Sequence, residues 1–163
     1  MTISIRRALE IDARQMAELL NAIIAQGGTT ALTRPVTGAD ISDWMNNEIE
    51  KSAWTVAIDD AGEVVGFQWI TTADYLPAEA AEIASFVKLG RSGLGIGSSL
   101  FDATKTAARQ LGYRWINANI RADNEGGLIY YQSRGFRDYA RLEGYKMQNG
   151  QLVDKQLKRF DLY

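Results

Sequence analysis

The sequence predicts one domain of the mixed α/β (α+β) class, with a twisted, mostly antiparallel sheet of six to seven strands flanked by about four helices. Three observations lead to this expectation. The chain has 163 residues, the usual length of one domain. Its apolar content of 46% is that of an ordinary globular protein. Segments with helical and strand periodicity alternate through residues 1–163 without a repeat or a linker, so a single domain is expected over that whole range.

The first elements are expected to be a strand and two amphipathic helices. Residues 1–7 alternate in polarity like a half-buried strand, and apolar residues recur at helical spacing from 11 to 24. The pair Gly27-Gly28 ends this first helix and a loop follows at 29–38. Asp40 is then expected to cap the second helix, because a short acidic side chain can accept from the free N–H groups of a helix start.

The other elements follow from turn residues and periodicity. Residues 54–58 and 64–70 are expected to pair as a hairpin, because Asp59-Asp-Ala-Gly62 between them is typical of a turn. A third strand at 81–87 leads into a glycine-rich stretch. The remaining predicted elements, in order, are a helix from 96 to 111, a strand at 115–120, a helix at 126–134 with Gly135 just beyond its end, and two strands flanking Asn149-Gly150.

Composition excludes several classes of function. Eighteen basic and twenty acidic residues give a net charge of −2, which provides no basic surface for nucleic acid or for a membrane. The chain contains no cysteine and no histidine, so thiol nucleophiles, Cys/His metal sites and histidine bases are excluded. No apolar run is long enough to span a bilayer. We therefore expect a cytoplasmic protein without a metal, whose chemistry uses carboxylates, tyrosine, lysine, backbone dipoles or a bound cofactor.

The glycine-rich stretch predicts an anion site. Gly93, Gly95 and Gly97 allow backbone N–H groups to approach a phosphate, and the helix that starts there adds the positive end of its dipole. A nucleotide P-loop is excluded, because Ser98-Ser99 follow where that motif needs a lysine. The spacing also differs from that of a dinucleotide-binding loop. The remaining alternative is a tight strand-to-helix turn that binds nothing.

Two motifs resemble those of the GNAT N-acetyltransferase superfamily. Ser92-Gly-Leu-Gly-Ile-Gly97 is similar to that family's acyl-CoA pyrophosphate loop, except that Ser92 stands where Gln or Arg is usual and Arg91 lies one position earlier. Asn124, Tyr131 and Gly135-Phe136 resemble the family's later motif in residue type and spacing. The two motifs occur in the family's order, each after a predicted strand.

This resemblance implies a GNAT-like domain over residues 1–163 that uses acetyl-CoA as co-substrate. It implies that Asn124 faces the cofactor and that the Tyr131 hydroxyl lies beside the thioester sulfur. The strand before the loop would pair with the pantetheine arm, and one of its N–H groups would polarise the acetyl carbonyl. The cofactor-binding residues implied in this way are Phe86, Val87, Lys88, Arg91, Ser92, Gly93, Leu94, Gly95, Ile96, Gly97, Ser98, Ser99, Asn124 and Tyr131.

A narrower resemblance is to the phosphinothricin-type acetyltransferases. It rests on Thr29-Thr-Ala31, Pro35-Val-Thr37, Trp44, Glu82-Ile-Ala-Ser-Phe-Val87 and Gly144-Tyr-Lys146. The chain departs from that group at residues 147–154, where it has an insertion. The resemblance implies a small-molecule amine as acceptor, and that of the wider family implies a homodimer. The alternatives are an acetyltransferase for protein N-termini or lysines, and a CoA-binding module without turnover, which would have little use for Tyr131 as a proton donor.

Acetyl transfer to an amine requires a base and an acid. An alkylammonium has a pKa near ~10.4, so a proton must be removed at neutral pH, and without histidine a carboxylate is the expected base. Glu82 lies at the start of the strand that meets the glycine loop, so it could act directly, through water, or by positioning the substrate. It could also be an ordinary solvated glutamate. Tyr131 is the expected acid, and Tyr130 is expected to pack.

Aromatic residues that could line a substrate pocket are Trp44, Trp54, Trp69 and Tyr75. Core packing is the alternative for each of them.

Overall fold

A computed structural model describes residues 2–91 and 95–163, and within these residues it contains seven strands and four α-helices. This confirms the predicted fold class. The elements are β1 Ser4–Arg7, a 3₁₀ turn Glu10–Asp12, α1 Ala13–Gln26, α2 Gly38–Asn46, β2 Ala53–Ile58, β3 Val64–Thr71, β4 Ala80–Val87, α3 Ile96–Gln110, β5 Trp115–Arg121, α4 Glu125–Ser133, β6 Arg137–Lys146 and β7 Leu152–Asp161.

The strands form one sheet in the order β1-β2-β3-β4-β5-β7-β6. All neighbouring strands are antiparallel except β4 and β5, which are parallel. Pairing between these two covers only Ala80–Ile83 with Trp115–Ala118. The rest of β4 and the rest of β5 are not paired with each other, so the sheet opens into a wedge at its centre.

The helices cover both faces of the sheet. Helices α1 and α2 pack with Trp54, Val56 and Phe67 on one face. Helices α3 and α4 pack on the other face, where Phe101 and Tyr131 contact apolar residues of β4 and β5. The clusters stabilise the fold because they remove apolar area from water. The opening between β4 and β5 is therefore bordered by helices on both sides.

The start of α2 differs from the prediction. Thr37 is the N-cap, and its hydroxyl accepts from the Asp40 N–H at 3.0 Å. The Asp40 carboxylate in turn accepts from the Thr37 N–H at 2.9 Å. The expectation that Asp40 caps the helix was wrong, because the two residues form a reciprocal capping box in which Asp40 occupies the third helical position. At the end of α4, Gly135 has φ +100°, which confirms its predicted place just beyond the helix.

None of the described helices is both long enough and apolar enough to cross a membrane.

Candidate active site

A cavity of about 770 Å³ occupies the wedge between β4 and β5. Residues 82–87 of β4 and 119–121 of β5 line its two edges. Successive side chains of a strand point to opposite faces, so Glu82 and Ser85 reach the cavity from opposite sides of the sheet. The cavity therefore has one part under α1 and α2 and another part beside α3 and α4.

Glu82 is held by a hydrogen-bond network on the α1–α2 side. The Tyr75 hydroxyl donates to Glu82 Oε1, and Asn117 Nδ2 donates to the same oxygen at 3.2 Å. Tyr75 also accepts from Asn117 at 2.9 Å and from Asn119 at 3.1 Å. Tyr139 donates to Asn117 Oδ1 and so orients that amide. Glu82 is a positioned, partly buried carboxylate rather than an ordinary solvated one.

The environment of Glu82 favours proton uptake. Burial raises the pKa of its carboxyl group, while the hydrogen bonds from Tyr75 and Asn117 and the charge of Lys155 oppose that rise. A carboxylate with a raised pKa is a stronger base than one at the surface. Tyr75, itself half exposed, donates to this carboxylate but does not line the cavity.

Tyr131 reaches the cavity from α4, on the other side. Its side chain is buried, and its hydroxyl lies 2.7 Å from Ser85 Oγ, with either group able to donate. Burial raises the pKa of Tyr131 well above that of a free tyrosine. The phenol therefore stays protonated at neutral pH, so its proton is available for donation.

Tyr130, the neighbouring aromatic residue, holds α4 against α3 and β3. Its hydroxyl donates to the Gly97 carbonyl at 2.7 Å and accepts from Gln68 Nε2 at 2.7 Å. Thr104 donates to the buried Gln68 at 2.6 Å, which satisfies that amide. A Cβ atom at Gly97 would lie 2.6 Å from the Tyr130 ring, so this position requires glycine. Both tyrosines line the cavity, but the Tyr130 hydroxyl is already engaged in hydrogen bonds to Gly97 and Gln68.

The start of α3 lines the cavity on the α3–α4 side. Gly95 is the N-cap with φ +77°, a left-handed conformation that suits glycine. Gly95, Ile96, Gly97 and Ser98 all line the cavity. Free N–H groups at a helix start attract anions, as the glycine pattern predicts. Ser92, Gly93 and Leu94, the other predicted loop residues, lie outside the described residues.

The remaining predicted cofactor residues divide into two groups. Phe86, Val87 and Arg91 line the cavity, and Arg91 pairs with Asp59 at 3.5 Å. Lys88 and Ser99 are not among its lining residues. The Lys88 N–H donates to the Val65 carbonyl at 2.8 Å and its ammonium lies 3.4 Å from Glu63, while the Ser99 N–H donates to the Gly95 carbonyl within the helix.

Asn124 lines the cavity, but its amide is used twice by the protein itself. Its Oδ1 accepts from the Gly127 N–H at 3.0 Å, which caps α4, and its Nδ2 donates to the Thr29 carbonyl at 3.1 Å. Arg121 donates to the next carbonyl in that loop, Thr30, at 3.1 Å. The side chains of Asn124 and Arg121 therefore tie the α1–α2 loop over the cavity.

Tryptophans form the apolar wall on the α1–α2 side. Trp54 is buried in the core and stacks on Trp69 with ring centroids 4.3 Å apart, and Trp69 stacks on Trp44 at 5.6 Å. Trp44 and Trp69 line the cavity, whereas Trp54 does not. Of the four aromatic candidates, two thus face the cavity. This wall suits the apolar part of a small molecule.

Comparison with known proteins decides the family. The profile of the Acetyltransferase (GNAT) family matches residues 18–136, which include both motifs and both edges of the wedge. The chain belongs to the GNAT acetyltransferase family.

Individual relatives agree with this GNAT assignment. YwnH of Bacillus subtilis (strain 168), a proposed phosphinothricin acetyltransferase, is 29% identical over 161 residues, which cover 98% of this chain and 94% of YwnH. The phosphinothricin acetyltransferase of Sinorhizobium meliloti, solved with acetyl-CoA, is 20% identical, covers 99% of this chain and 89% of its own, and has a TM-score of 0.86. YncA of Salmonella typhimurium, solved with its cofactor acetyl-CoA, is 19% identical, covers 100% and 95%, and has a TM-score of 0.85. At these identities the solved structures show a shared fold.

Three polar residues of this GNAT site were not predicted from its sequence. Lys155 of β7 lines the α1–α2 side, Ser85 is the partner of Tyr131, and Arg134 donates to Ser98 Oγ at the start of α3. Arg134 Nε is buried and has no hydrogen-bond partner among the described residues. The alternation of side chains along β4 predicts that Ser85 and Glu82 lie on opposite faces of the sheet. No sequence pattern around Lys155 or Arg134 distinguishes these residues from surface cations. Among the described residues, no group of three or more acidic side chains is arranged to hold a metal ion.

Proposed function

We propose that this GNAT protein transfers an acetyl group from acetyl-CoA to the primary amine of a small molecule, by direct attack on the thioester. The observation that carries the proposal is that Glu82 and Tyr131 reach one cavity from opposite faces of β4. This arrangement provides a base on the acceptor side and an acid on the cofactor side. The presence of acetyl-CoA in two related structures supports the choice of cofactor.

The reaction begins with the acceptor ammonium, which gives one proton to Glu82. The neutral nitrogen attacks the acetyl carbonyl, whose oxygen accepts a hydrogen bond from the Val87 N–H at the unpaired edge of β4, because alternate N–H groups of β4, including that of Phe86, face β3. The N–C bond forms and the C–S bond breaks. Tyr131 then gives its proton to the sulfur, while the second nitrogen proton leaves through Ser85 and Tyr131 or through water, so charge is balanced.

The acceptor class rests on the relatives and on the wall of the cavity. Two relatives carry the name phosphinothricin acetyltransferase, which supports a small amine over a protein tail. The stacked Trp44 and Trp69 give an apolar wall to the cavity that Glu82 also lines. The homodimer, the cytoplasmic location and the extent of the catalytic domain over residues 1–163 stay predictions.

Ligand-dependent melting and thiol release test the function together. Acetyl-CoA at 100 times its Kd is expected to stabilise the fold by about 2.7 kcal/mol. For a chain of this size that is a rise in Tm of roughly 5–10 °C. NAD and ATP at the same concentration should raise Tm much less. A panel of small amines should then release free thiol from acetyl-CoA. Equal shifts with all three nucleotides, or no release with any amine, would contradict the proposal.

Arg134 is expected to contribute to acetyl-CoA affinity. It would supply the polar contact that the usual Gln or Arg of the GNAT loop makes, since this chain has Ser92 at that position. Its guanidinium lies at the start of α3, where the phosphates would bind, and within residues 2–91 and 95–163 its buried Nε has no partner. Arg134→Met should raise the Kd of acetyl-CoA about 10-fold, since one hydrogen bond from a charged group contributes roughly 1.5 kcal/mol. Calorimetric titration measures this. Arg109→Met, at the other end of α3, is the control and should leave the Kd unchanged. An unchanged Kd in the Arg134 variant would remove this role.

A further inference from the structure

Lys155 of β7 is a buried amine on the α1–α2 side of the cavity. Only 8% of its surface is exposed, and it lines the same cavity as Glu82. Its ammonium lies 4.0 Å from the centroid of the Tyr145 ring. Within the described ranges 2–91 and 95–163 it makes no hydrogen bond and no ion pair. The Lys155 nitrogen is therefore not bound to an acceptor atom of the fold.

Strand register places Lys155 on the same face of the sheet as Glu82. Glu82 is opposite Asn117 of β5. Lys155 is opposite Arg121 of the same strand. Asn117 and Arg121 are four residues apart, an even number, so the side chains at all of these positions lie on one face. The Lys155 amine is therefore on the face from which the acceptor is proposed to attack.

The same register gives the level of Lys155 along the sheet. The last pair of β4 with β5 is Ile83 with Ala118, so three residues further on Phe86 and Arg121 are level with each other. Lys155 is thus level with Phe86, one residue before the N–H that is proposed to hold the acetyl oxygen. Only β5, a spacing of about 4.8 Å, lies between β7 and the gap where the acetyl group would bind. The long lysine side chain can cross that spacing.

The surroundings of Lys155 favour the neutral form of its amine. Burial lowers its pKa, and the charge of Arg121 lowers it further, while the charge of Glu82 opposes both effects. An aromatic ring attracts a cation but not a neutral amine, so loss of the proton also releases the side chain from Tyr145. A desolvated lysine amine with an available lone pair is a nucleophile for acyl groups.

From these observations we propose that Lys155 is an acetylation site of the protein itself, which receives the acetyl group of bound acetyl-CoA when no other acceptor fills the cavity. The Lys155 nitrogen attacks the thioester carbonyl, the N–C bond forms and the C–S bond breaks. One proton of the ammonium goes to Glu82 or water, and a second proton leaves with the sulfur as free CoA. This rests on the proposed acetyl-CoA binding and transfer, and it adds a side chain of the chain as acceptor.

Peptide mass mapping tests the proposal. The folded protein is incubated with acetyl-CoA and no added amine, and the acetylated fraction of each lysine is followed with time. Lys155 should gain an acetyl group at least about 100-fold faster than the exposed Lys146, because a bound thioester has a high effective concentration. The rate at Lys155 should saturate with acetyl-CoA and fall when free CoA is added. The slow reaction of Lys146 should stay proportional to the acetyl-CoA concentration.

Lys155→Arg keeps the positive charge but has no group that loses a proton, so it should lose this acetylation. Lys146→Arg is the matched control and should retain the parental rate at Lys155. Acetylation of Lys155 that is no faster than that of Lys146, or that does not saturate, would overturn the proposal.

Thiol release with added amines separates this proposal from the function on which it rests. Release with an amine but no acetyl group on Lys155 would overturn the proposal while N-acetyl transfer stands. Saturable acetylation of Lys155 without release by any amine would support the proposal and contradict a small-molecule acceptor. Neither acetylation of Lys155 nor release with any amine would overturn both.

Discussion

Glu82→Gln is expected to lower kcat/KM by about 100-fold at pH 7, the usual scale of general-base assistance. Glutamine keeps the shape of the side chain and can still accept from Tyr75, but it cannot take a proton from the acceptor. The loss should shrink as pH rises toward the pKa of the amine, near ~10.4, because the acceptor then arrives neutral. Acetyl-CoA affinity should stay as in the parent.

The pH dependence of kcat/KM in the unsubstituted protein provides a second test of Glu82. Burial raises the pKa of Glu82. As the pH is lowered, the parent protein should therefore lose kcat/KM at a higher pH than it would if its base were an ordinary surface glutamate. The measurement is kcat/KM for one amine from about pH 4 to 10 in both proteins, a range that includes the ordinary glutamate pKa near ~4.3. Glu79→Gln, an exposed carboxylate just before β4, is the control and should follow the parent. A constant ratio between the Glu82→Gln and parent profiles would mean that Glu82 positions the acceptor without acting as its base.

Tyr131→Phe is expected to lower kcat by about 100-fold and to leave the Kd of acetyl-CoA nearly unchanged. The ring keeps its packing against Phe136, with centroids 5.0 Å apart, while the hydroxyl that faces Ser85 is lost. The departing thiolate then has to take its proton from water. The raised pKa of Tyr131 keeps the parent phenol protonated, so no loss of activity from its ionisation is expected near neutral pH.

Tyr130→Phe is the matched comparison for this prediction. It removes the hydrogen bonds to Gly97 and from Gln68, and with them about 1–3 kcal/mol of stability, because Gln68 is buried. Its main effect should therefore be a lower Tm, with a much smaller change in kcat than in Tyr131→Phe. Single-turnover measurements separate chemistry from product release in both variants. If chemistry is rate-limiting and Tyr131→Phe keeps the parental kcat, another group or water protonates the sulfur.

Local sequence patterns were sufficient to predict most of the fold. Helical and strand periodicity depend on residues a few positions apart, and the elements predicted on that basis are present in order, within a few residues at their ends. The cap of α2 was misplaced because Thr37 and Asp40 both fit a helix start, and only the backbone geometry distinguishes their roles. Resemblance in two motifs was sufficient for the family, which the match over residues 18–136 confirms.

The surroundings of the site could not be predicted in the same way. The partners of Glu82 are Tyr75, seven residues before it, and Asn117 on the next strand, thirty-five residues away. Their approach depends on the short parallel pairing of β4 with β5, which ends at Ile83 and Ala118. No sequence pattern predicts the residue at which β4 and β5 separate, because that position results from packing on both faces of the sheet.

What the sequence by itself determined was the order of elements, the glycine-dependent start of α3 and a chemistry without cysteine or histidine, since each depends on residue type or short-range spacing. Only the tertiary structure decided which groups hold the Tyr130 hydroxyl, that Asn124 ties down a loop, and that Lys155 faces the same cavity as Glu82. These outcomes depend on burial and on hydrogen bonds between distant segments. Such contacts form only when the whole sheet and its helices are assembled, and periodicity along the chain does not predict them.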